Sequence, residues 1–208
     1  KDDFYKGELN RIEKFSNDVR DGKIVGSTGK PFTTVCQIGI GGSDLGPRAL
    51  YLALKGWARG NGVKELEGKF ISNVDPDDAS DVISTIDLET TLFVLVSKSG
   101  TTQETLTNRD LVLNALKNSP IDGFDANKHM VAVTSKTSPL AKDESMLDSF
   151  FIDDYIGGRY SSTSAVGAVI LSLAFGFDTF KKLLDGAHEE DVLSNESNIR
   201  KNGALMDA

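Results

Sequence analysis

The run Leu92-Phe93-Val94-Leu95-Val96 is apolar at every position. A strand with one wet face alternates apolar and polar residues, so an unbroken run fits a strand covered on both faces, as in parallel sheets whose crossovers are helices. Four further short runs suit the same scheme: 35–40, broken only by Gln37 and Gly39, then 69–74, 130–133 and 149–152. Helical signals lie between them. Leu45, Ala49 and Leu52 recur at helical spacing within 45–58. Asp75-Pro76 sets an N-cap before a proline at the first helical position. A polar loop then leads into a helix over about 102–117. This alternation predicts an α/β fold, a doubly wound, mainly parallel five-stranded sheet flanked by helices, with ligands bound at the carboxyl ends of the strands.

The flanks are helical as well. Leu9, Ile12, Phe15 and Val19 fall at helical spacing among charges, and Asp21-Gly22 breaks the pattern, so 4–20 reads as an amphipathic leading helix followed by a loop over 26–32. Residues 164–177 are apolar around the whole circumference, which predicts a buried helix, and 178–193 are amphipathic. The chain therefore divides into a leading helix and loop (1–30), an α/β domain (31–185) and a helical extension (186–208) that would reach toward a second domain. Its first residue is Lys1 rather than Met, and it stops at Met206-Asp207-Ala208 with no capping signal, so both ends are expected to be boundaries within a longer protein.

Bulk properties exclude several functions. With 39% hydrophobic and 26% charged residues among 208, the composition is that of a soluble globular chain. No apolar stretch approaches the roughly 20 residues needed to cross a bilayer. A net charge of -8 without a dense Lys/Arg run disfavours nucleic acid. Cys36 has no internal partner and reads as a small buried hydrophobe; with no apolar leader evident, a reducing cytoplasm is the default. His129 and His188 sit in unrelated contexts and assemble neither a metal cluster nor a triad, so no metal or organic cofactor is expected.

Three loops fall where such a sheet places a ligand. In Gly39-Ile40-Gly41-Gly42-Ser43-Asp44-Leu45-Gly46, glycines let backbone N–H groups approach a ligand before a helix N-terminus, and Ser43 adds a hydroxyl. Anion binding, a ligand-free tight turn and dinucleotide binding all suit it, although Asp44 replaces the third glycine of the dinucleotide fingerprint and its carboxylate would face a pyrophosphate. The loop Ser97-Lys98-Ser99-Gly100-Thr101-Thr102-Gln103-Glu104-Thr105 offers hydroxyls and one ammonium ahead of a helix. A phosphomonoester carries about -1.5 to -2 charges and three acceptor oxygens, which such groups satisfy without a metal. An N-cap cluster at Thr101 or Thr102 is the structural alternative, compatible with the first. No Walker motif is present. In Asp153-Asp154-Tyr155-Ile156-Gly157-Gly158-Arg159-Tyr160-Ser161-Ser162, a guanidinium ahead of an apolar helix calls for an anionic partner, either Asp153 or Asp154 or a ligand.

Taken together, Ile38-Gly39-Ile40-Gly41-Gly42-Ser43-Asp44-Leu45-Gly46-Pro47, the 97–105 loop and Gly157-Gly158-Arg159-Tyr160-Ser161 resemble, in order and spacing, three signatures of the glucose-6-phosphate isomerase family. The resemblance covers about residues 20–185, and the second signature is shared in looser form with other sugar isomerase (SIS) domains. It implies an SIS-type fold and a cytoplasmic enzyme of glycolysis and gluconeogenesis that interconverts glucose 6-phosphate and fructose 6-phosphate, as a homodimer. By the same resemblance Ser97, Lys98, Ser99, Thr101 and Thr102 hold the phosphate. Gly42, Ser43 and Gly158 line the sugar site, Arg159 steadies the enediolate, and Glu104 helps to order the site. The family's proton-shuttling glutamate, its ring-opening histidine from the neighbouring subunit and a late lysine all fall beyond this segment, so the chain alone is expected to be inactive. Other SIS-domain isomerases or sugar-phosphate sensors, and a nucleotide-binding oxidoreductase domain, are the competing readings.

Overall fold

The computed structural model describes residues 2–207; Lys1 and Ala208, read above as boundaries, lie outside the described residues. In chain order the elements are α1 (Asp2–Arg20), β1 (Thr34–Ile38), α2 (Leu45–Gly60), β2 (Glu67–Ile71), α3 (Pro76–Ser84), β3 (Thr91–Val96), α4 (Gln103–Lys117), β4 (Met130–Thr134), β5 (Ser149–Phe151), α5 (Ala165–Phe175), α6 (Phe177–Leu193) and α7 (Gly203–Asp207). The five strands form one sheet in the order β2-β1-β3-β4-β5, and every pairing is parallel.

Helices cover both faces of this sheet, as the apolar run at β3 requires. Successive side chains of β3 alternate between two cores. Leu92, Val94 and Val96 join α1, α2, α5 and α6 on one side. Phe93 and Leu95 join α3 and α4 on the other. All eleven residues of α5 are buried, which accounts for a helix apolar on every side. Asp75 caps α3 by accepting from Asp77 N, with Pro76 at the first helical position. Cys36 lies fully buried in β1, where desolvation pushes its thiol pKa up and leaves it unreactive.

Helix α1 is tied to this core at both of its ends. Glu8 Oε2 accepts from Phe151 N at 3.0 Å, and Arg11 Nη2 donates to Ser149 O at 2.8 Å, so α1 closes the free edge of β5. Arg20 Nη1 donates to the carbonyls of Leu173 and Ala174 at 2.9 and 3.0 Å, capping the carboxyl end of α5. At the other terminus, Asn202 Nδ2 donates to the carbonyls of Ser194 and Glu196, which folds the segment after α6 back on itself. Val192, Leu193, Leu205 and Met206 remain exposed there.

Candidate sugar-phosphate site

The carboxyl ends of β1, β3, β4 and β5 deliver four loops to one side of the sheet. The loop after β3 is built around Ser97, which is buried. Its hydroxyl donates to Thr102 Oγ1 at 3.2 Å and accepts from Gly100 N at 3.2 Å. Gly100 adopts φ +67°, and a Cβ there would collide with Ser138 Oγ, so the turn is glycine's on two counts. Thr134 Oγ1 donates to Ser97 O at 2.7 Å and Ser135 N to Lys98 O at 3.0 Å, which holds the loop to the strand beside it. Thr102 is the N-cap of α4, yet its hydroxyl makes no cap hydrogen bond; the helix presents its positive end without a side-chain cap.

Ser43, Lys98, Ser99 and Thr102 line a single cavity of about 340 Å³. Lys98 Nζ donates within it to the carbonyls of Asp154 and Ile156, at 2.5 and 2.8 Å, so the ammonium also braces the loop after β5. Ser97 and Thr101 serve the loop itself; Thr101 Oγ1 donates to Ser99 Oγ at 3.1 Å. Gly42, Gly158 and Arg159 line an adjoining open cleft of about 400 Å³ with Gly157 and Tyr160. The two glycine loops meet there. A Cβ on Gly42 would strike the carbonyl carbon of Gly158, and Ser161 Oγ donates to Gly158 O at 2.6 Å. Arg159 is exposed and, among the described residues, makes no ion pair. Glu104 stands exposed in the first turn of α4 and lines neither cavity.

The carboxylate that disfavoured a dinucleotide does not face either cavity. Asp44 is buried and paired with Arg48 Nη2 at 2.7 Å; burial raises its pKa and Arg48 opposes the rise. Gln37, a polar interruption in β1, tethers the first loop by donating from Nε2 to Ser43 O at 2.7 Å.

The phosphoglucose isomerase family profile matches residues 5–208. The chain belongs to that family. Glucose-6-phosphate isomerase from Treponema denticola is 56% identical over 99% of this chain, which spans 38% of that relative. A crystal structure of a glucose-6-phosphate isomerase from Chlamydia trachomatis superposes with a TM-score of 0.83 at 40% identity, covering 97% of this chain and 36% of that one. A putative phosphosugar isomerase from Silicibacter pomeroyi, at 17% identity and a TM-score of 0.55, shares the SIS-type fold over 91% of this chain and 51% of its own. The chain thus spans little more than a third of its phosphoglucose isomerase relatives.

The cavity also includes residues that the sequence had not marked as ligand-binding. Ser135, Thr137 and Ser138, after β4, and Asp154, after β5, line it as well. The available signal was three hydroxyl residues in Ser135-Lys136-Thr137-Ser138 at the carboxyl end of a strand, a position shared with the three loops that were singled out. His129 lies elsewhere. It is fully buried at the amino end of β4, with Nε2 accepting from Ser27 N at 3.0 Å and Nδ1 left to donate to Thr91 O at 3.0 Å. Desolvation lowers its pKa from 6.5.

Proposed function

We propose that this chain is the sugar-phosphate-binding portion of a glucose-6-phosphate isomerase, an enzyme that interconverts glucose 6-phosphate and fructose 6-phosphate in glycolysis and gluconeogenesis. One observation carries the reading: a hydroxyl-lined cavity at the carboxyl end of a parallel sheet, beside an ammonium and a helix start without a side-chain cap. Ser43, Ser99 and Thr102 supply donors to phosphate oxygens, and the field of α4 favours a dianion there. Ser97 and Thr101 keep the loop in shape, and Lys98 adds charge while bracing the neighbouring loop.

Proton transfer between C1 and C2 of an open-chain sugar places negative charge on oxygen. A guanidinium at the adjoining cleft stabilises that charge more in the transition state than in the ground state, which gives Arg159 its role. The proton itself needs a base within reach of the carbon. In this reading the base belongs to the part of the relatives that this chain does not span, and the whole enzyme is a cytoplasmic homodimer.

Titration of the 208-residue chain with fructose 6-phosphate, followed by amide shifts, together with a coupled isomerase assay, tests the proposal. Saturable shifts centred on 97–102 without turnover are expected. Turnover by this chain alone would place a base within it and sink the division of labour, whereas shifts confined to other loops would sink the phosphate assignment.

A further inference from the structure

Ser43, the serine that the first glycine loop brings to the cavity, is held from behind by a residue outside it. Gln37 lies in β1 between Phe70 of β2 and Val94 of β3, and its side chain is almost wholly buried. It shares a sheet face with Val35, the face packed against α5. Its Nε2 donates to Ser43 O at 2.7 Å. The residue four places on, from which a helical N–H would reach that carbonyl, is Pro47, which has none. The carbonyl also packs on the backbone of Gly39, where a Cβ would come within 2.7 Å of it. The glutamine amide thus supplies the donor that the start of α2 lacks.

Because its partner is a carbonyl, the amide can meet it only with its NH2 group. Oε1 is thereby turned away from Ser43, and it lies buried with no donor among the described residues. A buried acceptor without a partner is destabilising, so a methionine would fill this space at lower cost. Packing of the sheet gives no reason for a glutamine here; the place of Ser43 does. Ser161 Oγ donates to Gly42 O at 3.3 Å, so the carbonyls of Gly42 and Ser43 are both anchored by side chains from outside their loop. What they anchor is the hydroxyl that joins Lys98, Ser99 and Thr102 in lining the cavity.

We infer that Gln37 is a positioning residue of the sugar-phosphate site: it lines no part of the cavity and acts by fixing Ser43 through its carbonyl. This inference rests on the sugar-phosphate reading of the cavity and deepens it. Two consequences separate the role from ordinary packing. Loss of the amide weakens the ligand without weakening the fold, because freeing the Ser43 carbonyl is offset by removing the unpartnered Oε1. Gln37→Glu keeps the shape of the side chain, yet it can donate to Ser43 O only when protonated; as a carboxylate it sets acceptor against acceptor.

The test titrates fructose 6-phosphate into the 208-residue chain, Gln37→Met, Gln37→Glu, Ser43→Ala and the Gln37→Met/Ser43→Ala pair, reading amide shifts, with urea midpoints taken alongside. Gln37→Met should weaken the sugar phosphate by roughly threefold to tenfold, the worth of one neutral hydrogen bond, at an unchanged midpoint. In the Ser43→Ala chain the same change should add nothing. Gln37→Glu, taken as a ratio to the unaltered chain at each pH, should bind weakly at about pH 8 and approach parity at about pH 5.5, as the buried carboxyl takes up its proton. Three results would each overturn the inference while the phosphate assignment stands: equal weakening by Gln37→Met with and without the Ser43 hydroxyl, a lowered midpoint with affinity unchanged, or a Gln37→Glu ratio that stays low in acid. No binding by the unaltered chain would overturn both.

Discussion

The two ends of the parallel sheet carry polar clusters of opposite character. At the amino end His129 sits against Phe32 and Phe124, with ring centroids 5.4 and 4.4 Å away, and both of its nitrogens are committed to backbone groups of other segments. At the carboxyl end, Ser135 and Thr137 share one hydrogen bond between two hydroxyls, and α4 starts without a side-chain cap. Buried polar groups that are fully partnered hold a fold together; those with capacity to spare beside a cavity can take a ligand. A histidine is the residue most readily suspected of chemistry, yet here it is fully partnered and the hydroxyls with capacity to spare belong to serines and threonines.

The largest expected effect lies at the amino end. His129→Leu strands Ser27 N and Thr91 O, and should cost about 2–4 kcal/mol in urea unfolding with no change in sugar-phosphate affinity. A loss below about 1 kcal/mol would dissolve the contrast. Gly42→Ala comes next, since its Cβ meets the Gly158 backbone: about 1–3 kcal/mol by thermal melting, accompanied by weaker fructose 6-phosphate binding as the two loops part. If affinity survives intact, the close approach of these loops does not shape the site.

Ser99→Ala should do the reverse of the histidine change. Affinity for inorganic phosphate is expected to fall roughly threefold to tenfold by titration, with stability altered by about 0.5 kcal/mol or less. A stability loss as large as that at His129 would make the carboxyl cluster structural too. The mildest perturbation is acid. Burial holds the imidazole of His129 below the ordinary 6.5, so the unfolded chain takes up its proton first. Its contribution to stability is therefore whole above that range and declines as pH falls through it. Urea midpoints between pH 7.5 and 5.5 should drop in the parent chain and drop less in His129→Leu; parallel declines would assign the effect to other groups.

Much of this contrast was legible in the sequence, and unevenly so. Local signals carried through: the apolar run at β3, the Asp75-Pro76 helix start and the all-apolar α5 each depend on neighbours in the chain. The edge strand β2 was placed over 69–74 but runs Glu67–Ile71, because only Ile71 in it is fully buried and an edge strand shows a weak apolar pattern. The three candidate loops announced themselves through glycines and clustered hydroxyls. What stayed hidden depends on distant partners. The role of His129 is set by Ser27, 102 residues away, and that of Gln37 by a carbonyl six residues on, reached only once the glycine loop has turned. Ser135 and Thr137 were not singled out, since nothing local says that they share a cavity with Lys98 and Asp154.

The docking of α1 on α5 also has a meaning in time. Ile12, Phe15 and Val19 form an apolar stripe on α1, yet the helix that covers them does not begin until Ala165. At about 5–20 residues per second that stripe waits roughly 7–30 s before its partner exists. This hydrophobic surface is thus made well before it is covered, and nascent chains that end between α1 and α5 present it to whatever binds exposed helices during synthesis.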